Sequence, residues 1–442
     1  MSSDQRPSET AYDVAVARLF ARQPNRMVPD LERITTLAEL LGRPDQAYPS
    51  IHLTGTNGKT TTSHMVGCLL AALGVTAGTY TSPHLQDVRE RLRVGVEPIS
   101  RAALVEGLAY LEPFLAEVDA RHPDLVTFFE VLTALAFTHF ADAPVDVGVF
   151  EVGMGGRWDA TNLVRGEVAV LGEIALDHPE LGSAVEHVAA EKVGIIKDRA
   201  TVVSAAQHPA VSPLVEEAAQ AHDCRLVVAG RDFGVAEREL AVGGQRLSLR
   251  GVTGTVTDVY LPLHGLHQAG NAALALAAVE GFLGFAGGLD EDVIREGFAA
   301  VRSPGRLEVV RRQNAAPVVL DGAHNPCGAR CLATALREEF AHRNRVFVLG
   351  ILADKDVDGI VAELLPVAEH VVATQPPSGR AAPSERVAKA VRRAGGTVET
   401  APDVAGALSL ASGVAGAEDA VVVTGSLYTV GEARGLLGLE PA

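Results

Sequence analysis

Ile51-His-Leu-Thr-Gly-Thr-Asn-Gly-Lys-Thr-Thr-Thr62 decides the architecture of this 442-residue chain. An apolar strand pattern enters it from Ser50, and Met65, Val66, Leu69, Leu70 and Leu73 leave it at helical spacing. Strand, glycine loop, Lys-Thr and helix make the layout of a phosphate-binding loop. Backbone N–H groups of the loop and of the helix N-terminus converge there on an anion. In that layout Lys59 reaches the β and γ phosphates and the Thr60 hydroxyl binds Mg²⁺. The loop is a short form, Gly55-Thr-Asn-Gly58-Lys59-Thr60, because Leu53 rather than Gly lies five residues before Gly58. Gly-Lys-Thr alone also occurs in ordinary turns with an exposed Lys. The strand before it and the helix after it point to a nucleotide.

Composition sets the outer limits. A chain of 442 residues is too long for one small core, so two domains are expected. Apolar residues make up 47% and charged residues 21%, the balance of a soluble globular protein. A net charge of −17 argues against a nucleic-acid partner held by phosphate neutralisation. It leaves room for anionic substrates, because a local Lys and Mg²⁺ override the global field. Cys68, Cys224, Cys327 and Cys331 form no Cys-x-x-Cys and no zinc spacing. Cys327 and Cys331 stand four apart on a helical pattern, which arises from chance or packing more often than from a metal pair. Unpaired cysteines fit a reducing cytoplasm, and the first ten residues carry no apolar signal core. The most apolar window, around Ala272 to Phe285, is short and interrupted by Glu280. A buried helix is expected there, not a membrane span.

Along the chain, Tyr12 to about Leu41 is helical with a break near Pro24 and Pro29, and Gly42-Arg-Pro44 ends it. After the phosphate loop and its helix come a strand at Val75–Tyr80 and a turn at Thr81-Ser-Pro-His-Leu85. Helices are predicted over Ser100–Ala120, with Ser100 as N-cap, and over Thr127–Phe140. Val145–Val152 reads as a buried parallel strand, and a further one begins at Val168–Leu171 and ends at Leu176-Asp-His178. Ligands bind at the carboxyl ends of such strands. Three ends carry Lys59 and Thr60, Glu151, and Asp177 with His178. After short β-like runs over residues 201 to 262, Leu263–Asn271 opens an Ala/Leu-rich helix. Ser303-Pro-Gly-Arg306 reads as a linker. Strands at Val318–Leu320, Val346–Leu349, Val371–Ala373 and Ala420–Thr424 then alternate with helices. The expected domains are 1–302 and 303–442, both α/β.

Lys192 falls on the apolar face marked by Val185, Val188, Ala189, Ile195 and Ile196, on a helix running through Glu191–Lys197. A buried ammonium tends to lose its proton. A neutral lysine serves as a Schiff base, a base or a CO₂ acceptor; the other reading is a side chain that snorkels or pairs with a carboxylate. The position alone leaves both open.

Together these segments resemble the folylpolyglutamate synthase / dihydrofolate synthase family of the Mur ligase superfamily. The resemblance runs in order through Gly55–Thr60, Thr81–Leu85, Thr127-Phe-Phe-Glu-Val-Leu-Thr-Ala-Leu135, Glu151-Val-Gly-Met-Gly-Gly-Arg-Trp-Asp-Ala-Thr-Asn162 and Leu176-Asp-His178. It continues through Glu191-Lys-Val-Gly-Ile-Ile-Lys197, His267-Gln-Ala-Gly-Asn271, Pro304-Gly-Arg306, Asp321-Gly-Ala-His-Asn-Pro326, Gly350–Asp356 and Thr424-Gly-Ser-Leu-Tyr428. It implies a Mur-ligase-type central ATPase domain with a phosphate loop, plus a smaller Rossmann-like C-terminal domain. It also implies ligation of L-glutamate to dihydropteroate or to a folate's glutamate tail, through an acyl phosphate, with release of ADP and phosphate.

By the same resemblance, Gly55, Thr56, Asn57, Gly58, Lys59, Thr60, Thr61, Asn271, Arg306 and Asp321 bind ATP. Thr60, Glu151, His178 and a carbamylated Lys192 serve two Mg²⁺ ions, with K⁺ as a further candidate ion. Lys59, Lys192, Asp321 and His324 act in catalysis, and His324 and Ser426 meet glutamate. Ser82, Pro83, His84, Thr127, Phe128 and Asp159 face the pterin, where Phe128 offers a stacking face or simply packs the core. A cytoplasmic monomer without nucleic-acid or membrane partners is expected. Thr60-Thr61 replaces the family's frequent Gly-Ser, Ser303 replaces a bulky residue, Asp177–Gly182 is slightly short, and Gly172-Glu173 is atypical. These departures bear on the acceptor and the linker more than on the chemistry. The rival readings are a Mur-type ligase for another carboxylate and a nucleotide-binding regulatory pseudo-enzyme.

Overall fold

A computed structural model describes residues 9–23, 28–176, 179–340 and 344–441. Three sheets organise these residues. The first has eight strands in the order Glu97–Pro98, Leu92–Val94, Ala77–Tyr80, Val147–Glu151, Ser50–Thr54, Val168–Leu171, Thr201–Ser204 and Arg225–Val228. Leu92–Val94 pairs antiparallel with both of its neighbours at one edge, and all the other pairings are parallel. The central strands are buried along their whole length, Val168-Ala-Val-Leu171 as a continuous apolar run and Ser50–Thr54 with polar ends and His52 inside.

Strand order explains where the site lies. Ser50–Thr54 sits between Val147–Glu151 and Val168–Leu171, with Leu53 opposite Glu151 and Thr54 opposite Leu171. The phosphate loop therefore emerges between the Glu151 strand end and the loop beginning at Gly172, at a point where chain order reverses. Behind it, the helix Lys59–Ala72 packs on Leu266–Phe282 and Glu291–Ala299. The buried-helix expectation for the Ala272 window holds. Glu280 is accommodated there because its carboxylate accepts from Val252 N (2.7 Å) and Thr253 N (3.0 Å). Among the described residues no helix is long and apolar enough to cross a membrane.

Two predicted boundaries move. The strand starting at Val168 stops at Leu171 rather than running to residue 178. Past it the backbone leaves regular pairing: Gly172 N still donates to Thr54 O at the end of the neighbouring strand, but Ile174 N turns to the Gln207 side chain. The helix through Lys192 ends at that residue and tightens into a 3₁₀ turn, Val193–Ile195. Gly194 lies against Arg157 there, so close that a Cβ would stand 2.9 Å from the Arg157 Cα. The helix caps follow prediction: Ser100 accepts from Ala103 N, and Thr127 forms a capping box with Glu130.

Gly234–Ala241, Gly244–Arg250 and Thr255–Leu261 form a separate antiparallel sheet. The last sheet orders Glu308–Val310, Val318–Leu320, Ala420–Thr424, Arg345–Leu349, His370–Ala373 and Val398–Thr400, parallel except at its Glu308 edge. Its two edge strands are short and carried no readable pattern.

A buried carboxylate fastens the last two sheets together. Glu339, with a side chain 2% exposed, pairs with Arg238 and accepts from Gly265 N at 2.9 and 3.0 Å. Glu339→Ala is expected to cost about 3 kcal/mol, because Arg238 and the Gly265 N–H are left in a desolvated gap. Urea denaturation measures this; an unchanged midpoint would mean that the sheets hold together without the clasp.

Candidate active site

Backbone shape makes the phosphate loop. Gly55 and Gly58 take φ of 153° and 80°, which side chains disfavour. A Cβ on Gly58 would also stand 2.6 Å from Asn271 Oδ1, so that side chain is pressed onto the loop. Lys59 Nζ donates to Gly55 O at 3.0 Å, folded over the loop it belongs to. Asn57 Oδ1 accepts from Asn325 Nδ2 at 3.0 Å, and Thr61 Oγ1 meets Ser303 Oγ at 2.9 Å. Thr56 is tied to the following strand's loop through Glu173 O and Ala175. Ser303 and Glu173, two of the atypical positions, thus both brace the loop.

The Thr60 hydroxyl lies 2.9 Å from each oxygen of Glu151. Burial pushes the Glu151 carboxyl up to about 6, against the pull of Lys59 and other donors. A hydroxyl and a carboxylate brought together from adjacent strand ends fit a small hard cation such as Mg²⁺. Ser82, expected at the acceptor, also arrives here, its N–H donating to Glu151 Oε2 at 3.0 Å. His178 and Asp177 lie outside the described residues. Among the described residues, no three His, Cys, Asp or Glu side chains gather as a metal cluster.

Lys192 is buried, and its Nζ donates to Gly55 O at 2.9 Å. Its burial is the one expected from the apolar face marked by Val188 and Ile195. Lys59 and Lys192 thereby converge on a single carbonyl oxygen.

The last sheet contributes the loop after Val318–Leu320. Asp321 is buried; its oxygens accept from Leu307 N (3.0 Å) and Ala323 N (2.9 Å). Desolvation raises its carboxyl above the usual range, offset chiefly by Arg306. His324 Nδ1 lies 2.9 Å from Gly322 O. Arg306 acts electrostatically on both Glu151 and Asp321. A cavity of about 40 Å³ lies between the Thr81–Leu85 turn and the linker, lined by Thr60, Thr81, Pro83, Ser303, Arg306 and Leu427 among others. Ser426 is buried and caps the helix Leu427–Leu436 through Thr429 N (3.1 Å). Asn271 is held by Gln268 Oε1 at 2.9 Å.

On the acceptor side, Phe128, Phe20 and His84 form an aromatic group, with ring centroids 5.0 and 6.1 Å apart from Phe20. Thr127 spends its hydroxyl on the capping box. Asp159 spends its carboxylate on Met154 N, Thr161 N and Thr161 Oγ1 (2.6 Å), shaping the glycine loop after Glu151.

One residue escaped the sequence reading. Arg91 is buried beneath the Thr81–Leu85 turn, with Nε donating to His84 Nδ1 at 2.9 Å and the guanidinium 5.1 Å over the Phe128 ring. Burial lowers its pKa, offset by Tyr80, Tyr428 and Glu151. Within Arg89-Glu-Arg-Leu-Arg93 nothing local separates it from its exposed-looking neighbours.

Residues 53–279 match the Mur ligase middle domain, and residues 305–427 the Mur ligase glutamate ligase domain. The dihydrofolate synthase/folylpolyglutamate synthase of Mycobacterium tuberculosis is 44% identical, over 98% of this chain and 96% of that protein. The Bacillus subtilis protein of that name is 30% identical, over 96% and 99%. The M. tuberculosis folylpolyglutamate synthase (FPGS) complexed with ADP superposes with a TM-score of 0.94, at 44% identity and 98% and 99% coverage. An FPGS–AMPPCP–folate complex superposes at 0.83, with 34% identity over 96% of this chain and 99% of that one. Matched by both Mur ligase domains and by relatives 44% and 30% identical along nearly its whole length, this protein belongs to the dihydrofolate synthase/folylpolyglutamate synthase family of Mur ligases.

Proposed function

We propose that the chain is an ATP-dependent amide ligase that joins L-glutamate to dihydropteroate, to the glutamate tail of a folate, or to both. The observation that carries this is the meeting of three groups: the phosphate loop, the Thr60–Glu151 pair, and the Asp321–Asn325 loop docked through Asn57. A loop built for phosphates faces residues from a second α/β unit, as a phosphoryl transfer followed by amide formation requires.

The chemistry runs in two steps. An acceptor carboxylate oxygen attacks the γ-phosphorus of ATP, the bond to ADP breaks, and an acyl phosphate forms. The glutamate amine then attacks the acyl carbon, and phosphate leaves. Lys59 and the loop N–H groups hold the β and γ phosphates and balance the charge that spreads over them. Arg306 adds positive charge from the linker. Thr60 and Glu151 would hold Mg²⁺, which when bound neutralises phosphate charge. His178 is proposed for a second ion and K⁺ as a further one. Carbamylation of Lys192 is kept from the family resemblance, and a buried amine at the mouth of the phosphate loop is consistent with it.

Asn271, against Gly58, is placed toward the adenine. His324 and Asp321 close the site, with His324 and Ser426 on the glutamate side. Ser82, Pro83, His84, Thr127, Phe128 and Asp159 are kept for the acceptor, several of them as shapers of its walls. Arg91, under His84 and against the Phe128 ring, braces that wall. The boundary between domains is placed at 302/303, beside the Thr61–Ser303 contact. A single chain supplies both halves of the site, which supports a monomer. Four free thiols support the reducing cytoplasm.

ADP release with ATP, Mg²⁺ and L-glutamate tests the reading, with dihydropteroate and tetrahydrofolate offered separately. Product heavier by one glutamyl unit is expected from at least one acceptor; turnover of both would make the enzyme bifunctional. ATP binding without turnover of either would overturn the folate assignment in favour of another carboxylate or a regulatory role.

A further inference from the structure

Ser50, His52 and Thr54 are the polar residues of the strand that leads into the phosphate loop, and no step above uses their side chains. Alternate residues of a strand share one face. On the other face Ile51 and Leu53 pack into the core with Met65 and Leu69. The three polar residues are buried too, at 0%, 0% and 1% exposure, in a setting where apolar runs are the rule. Each one meets the segment between Glu151 and the strand Val168–Leu171. Ser50 Oγ accepts from Gly166 N at 2.7 Å, His52 Nε2 lies 2.8 Å from Thr161 Oγ1, and Thr54 Oγ1 donates to Gly155 O at 2.8 Å. These contacts are the rungs of a ladder that fixes the segment to the strand near its start, its middle and its end.

The middle rung has a direction. Asp159 accepts from Met154 N and Thr161 N, each at 3.0 Å, and from Thr161 Oγ1 at 2.6 Å. A hydroxyl has a single hydrogen to give. Thr161 gives it to Asp159, so its oxygen accepts from His52, and the ring carries its proton on Nε2. Nδ1 then holds a lone pair, and it has no partner among the described residues. Burial, helped by the charge of Lys197, holds the His52 pKa down to about 3, so the ring stays neutral. His52, Thr161 and Asp159 thus form a chain that ends on the backbone of Met154. The glycine loop it reaches lies on the acceptor side: a Cβ on Gly153 would stand 2.7 Å from the ring of Phe129, the neighbour of Phe128.

We propose that Ser50, His52 and Thr54 are positioning residues for the acceptor, and that His52 sets the acceptor's binding wall through Thr161 and Asp159. Gly55 follows Thr54 directly, so the strand that ends in the nucleotide loop also holds the Gly153–Asn162 wall. The acceptor carboxylate has to meet the γ-phosphate in line, and a misplacement of about 1 Å costs about 10²-fold in rate. Holding the seats of both reactants from one strand fixes their separation. The ladder acts through the loop it holds, not by contact with substrate. The proposal rests on the acceptor part of the reading above.

The test uses the full-length enzyme, with steady-state kinetics on whichever of dihydropteroate and tetrahydrofolate the parent turns over, and calorimetry for ADP affinity. His52→Leu removes the middle rung and should raise the acceptor KM about fivefold, with ADP affinity within about twofold of the parent. His52→Gln, which returns an N–H near the Nε2 position, should restore most of that loss. Thr161→Val keeps the shape of the side chain and drops the hydroxyl; it should raise the acceptor KM about tenfold, while Thr161→Ser stays near the parent. Adding His52→Leu to Thr161→Val should cost little more, because the chain is already cut. An unchanged acceptor KM in Thr161→Val would overturn the proposal, even where His52→Leu does not fold. A loss that His52→Gln does not rescue, or an equal loss of ADP affinity, would reduce the ladder to core packing and overturn it as well. A parent that turns over neither acceptor would sink the reading above, which an active parent with unresponsive variants would leave standing.

Discussion

Lys59→Ala is expected to lower kcat/KM for ATP by about 10³-fold with the fold intact. The lysine donates only to carbonyls of its own loop, Gly55 O being the nearer, so its loss breaks no long-range contact. What disappears is the charge facing the β and γ phosphates during transfer. Steady-state kinetics and far-ultraviolet circular dichroism read the two halves of this expectation. A loss below about tenfold would mean that another cation, Lys192 or Arg306, carries the γ-phosphate.

Glu151→Gln should move stability and activity in opposite directions. The folded carboxyl titrates at about 6 against an ordinary 4.5, because burial penalises its charge. Between those values the unfolded chain binds fewer protons than the folded one. Stability therefore falls as pH rises from 4.5 through 6, by about 2 kcal/mol in full. Glutamine removes that burden. Without nucleotide, the variant should be up to about 2 kcal/mol more stable than the parent near pH 7.5, and equal near pH 4. Turnover should drop about 10³-fold, since the neutral amide no longer balances a cation beside Thr60. Denaturation curves at the two pH values decide it; a parent more stable at both would show that the buried charge is already compensated.

The sequence disclosed what repeats locally. The strand and helix around Gly55–Lys59, the caps at Ser100 and Thr127, and the strands with continuous Val/Leu runs all follow from short-range periodicity. So did the buried position of Lys192, read from Val188 and Ile195. Pairings over long separations left no such trace. Glu339 meets Arg238 across 101 positions, Arg434 meets Glu308 across 126, and Arg91 reaches burial only because the Thr81–Leu85 turn folds over it. Ser426, Thr127 and Asp159 illustrate the reverse difficulty. Their motif positions suggested contact with substrate, yet their polar atoms are engaged in capping and loop shaping. A polar residue at a strand end serves chemistry or geometry, and only its partners tell which.

The helix Pro326–Glu338 is fastened at both tips, by Asn325 to the phosphate loop and by Glu339 to Arg238 and Gly265. The two fastenings are unequal: one neutral hydrogen bond against a desolvated ion pair with two backbone contacts. Mechanically the helix is a lever with a strong fulcrum and a weak catch. It is about 20 Å long, so a rotation of about 20° at Glu339 swings the Asn325 tip through about 7 Å. That would carry Asn325 clear of its hydrogen bond to Asn57, and because Ala329, Leu332 and Leu336 seat the helix in the C-terminal core, the whole unit would have to turn with it.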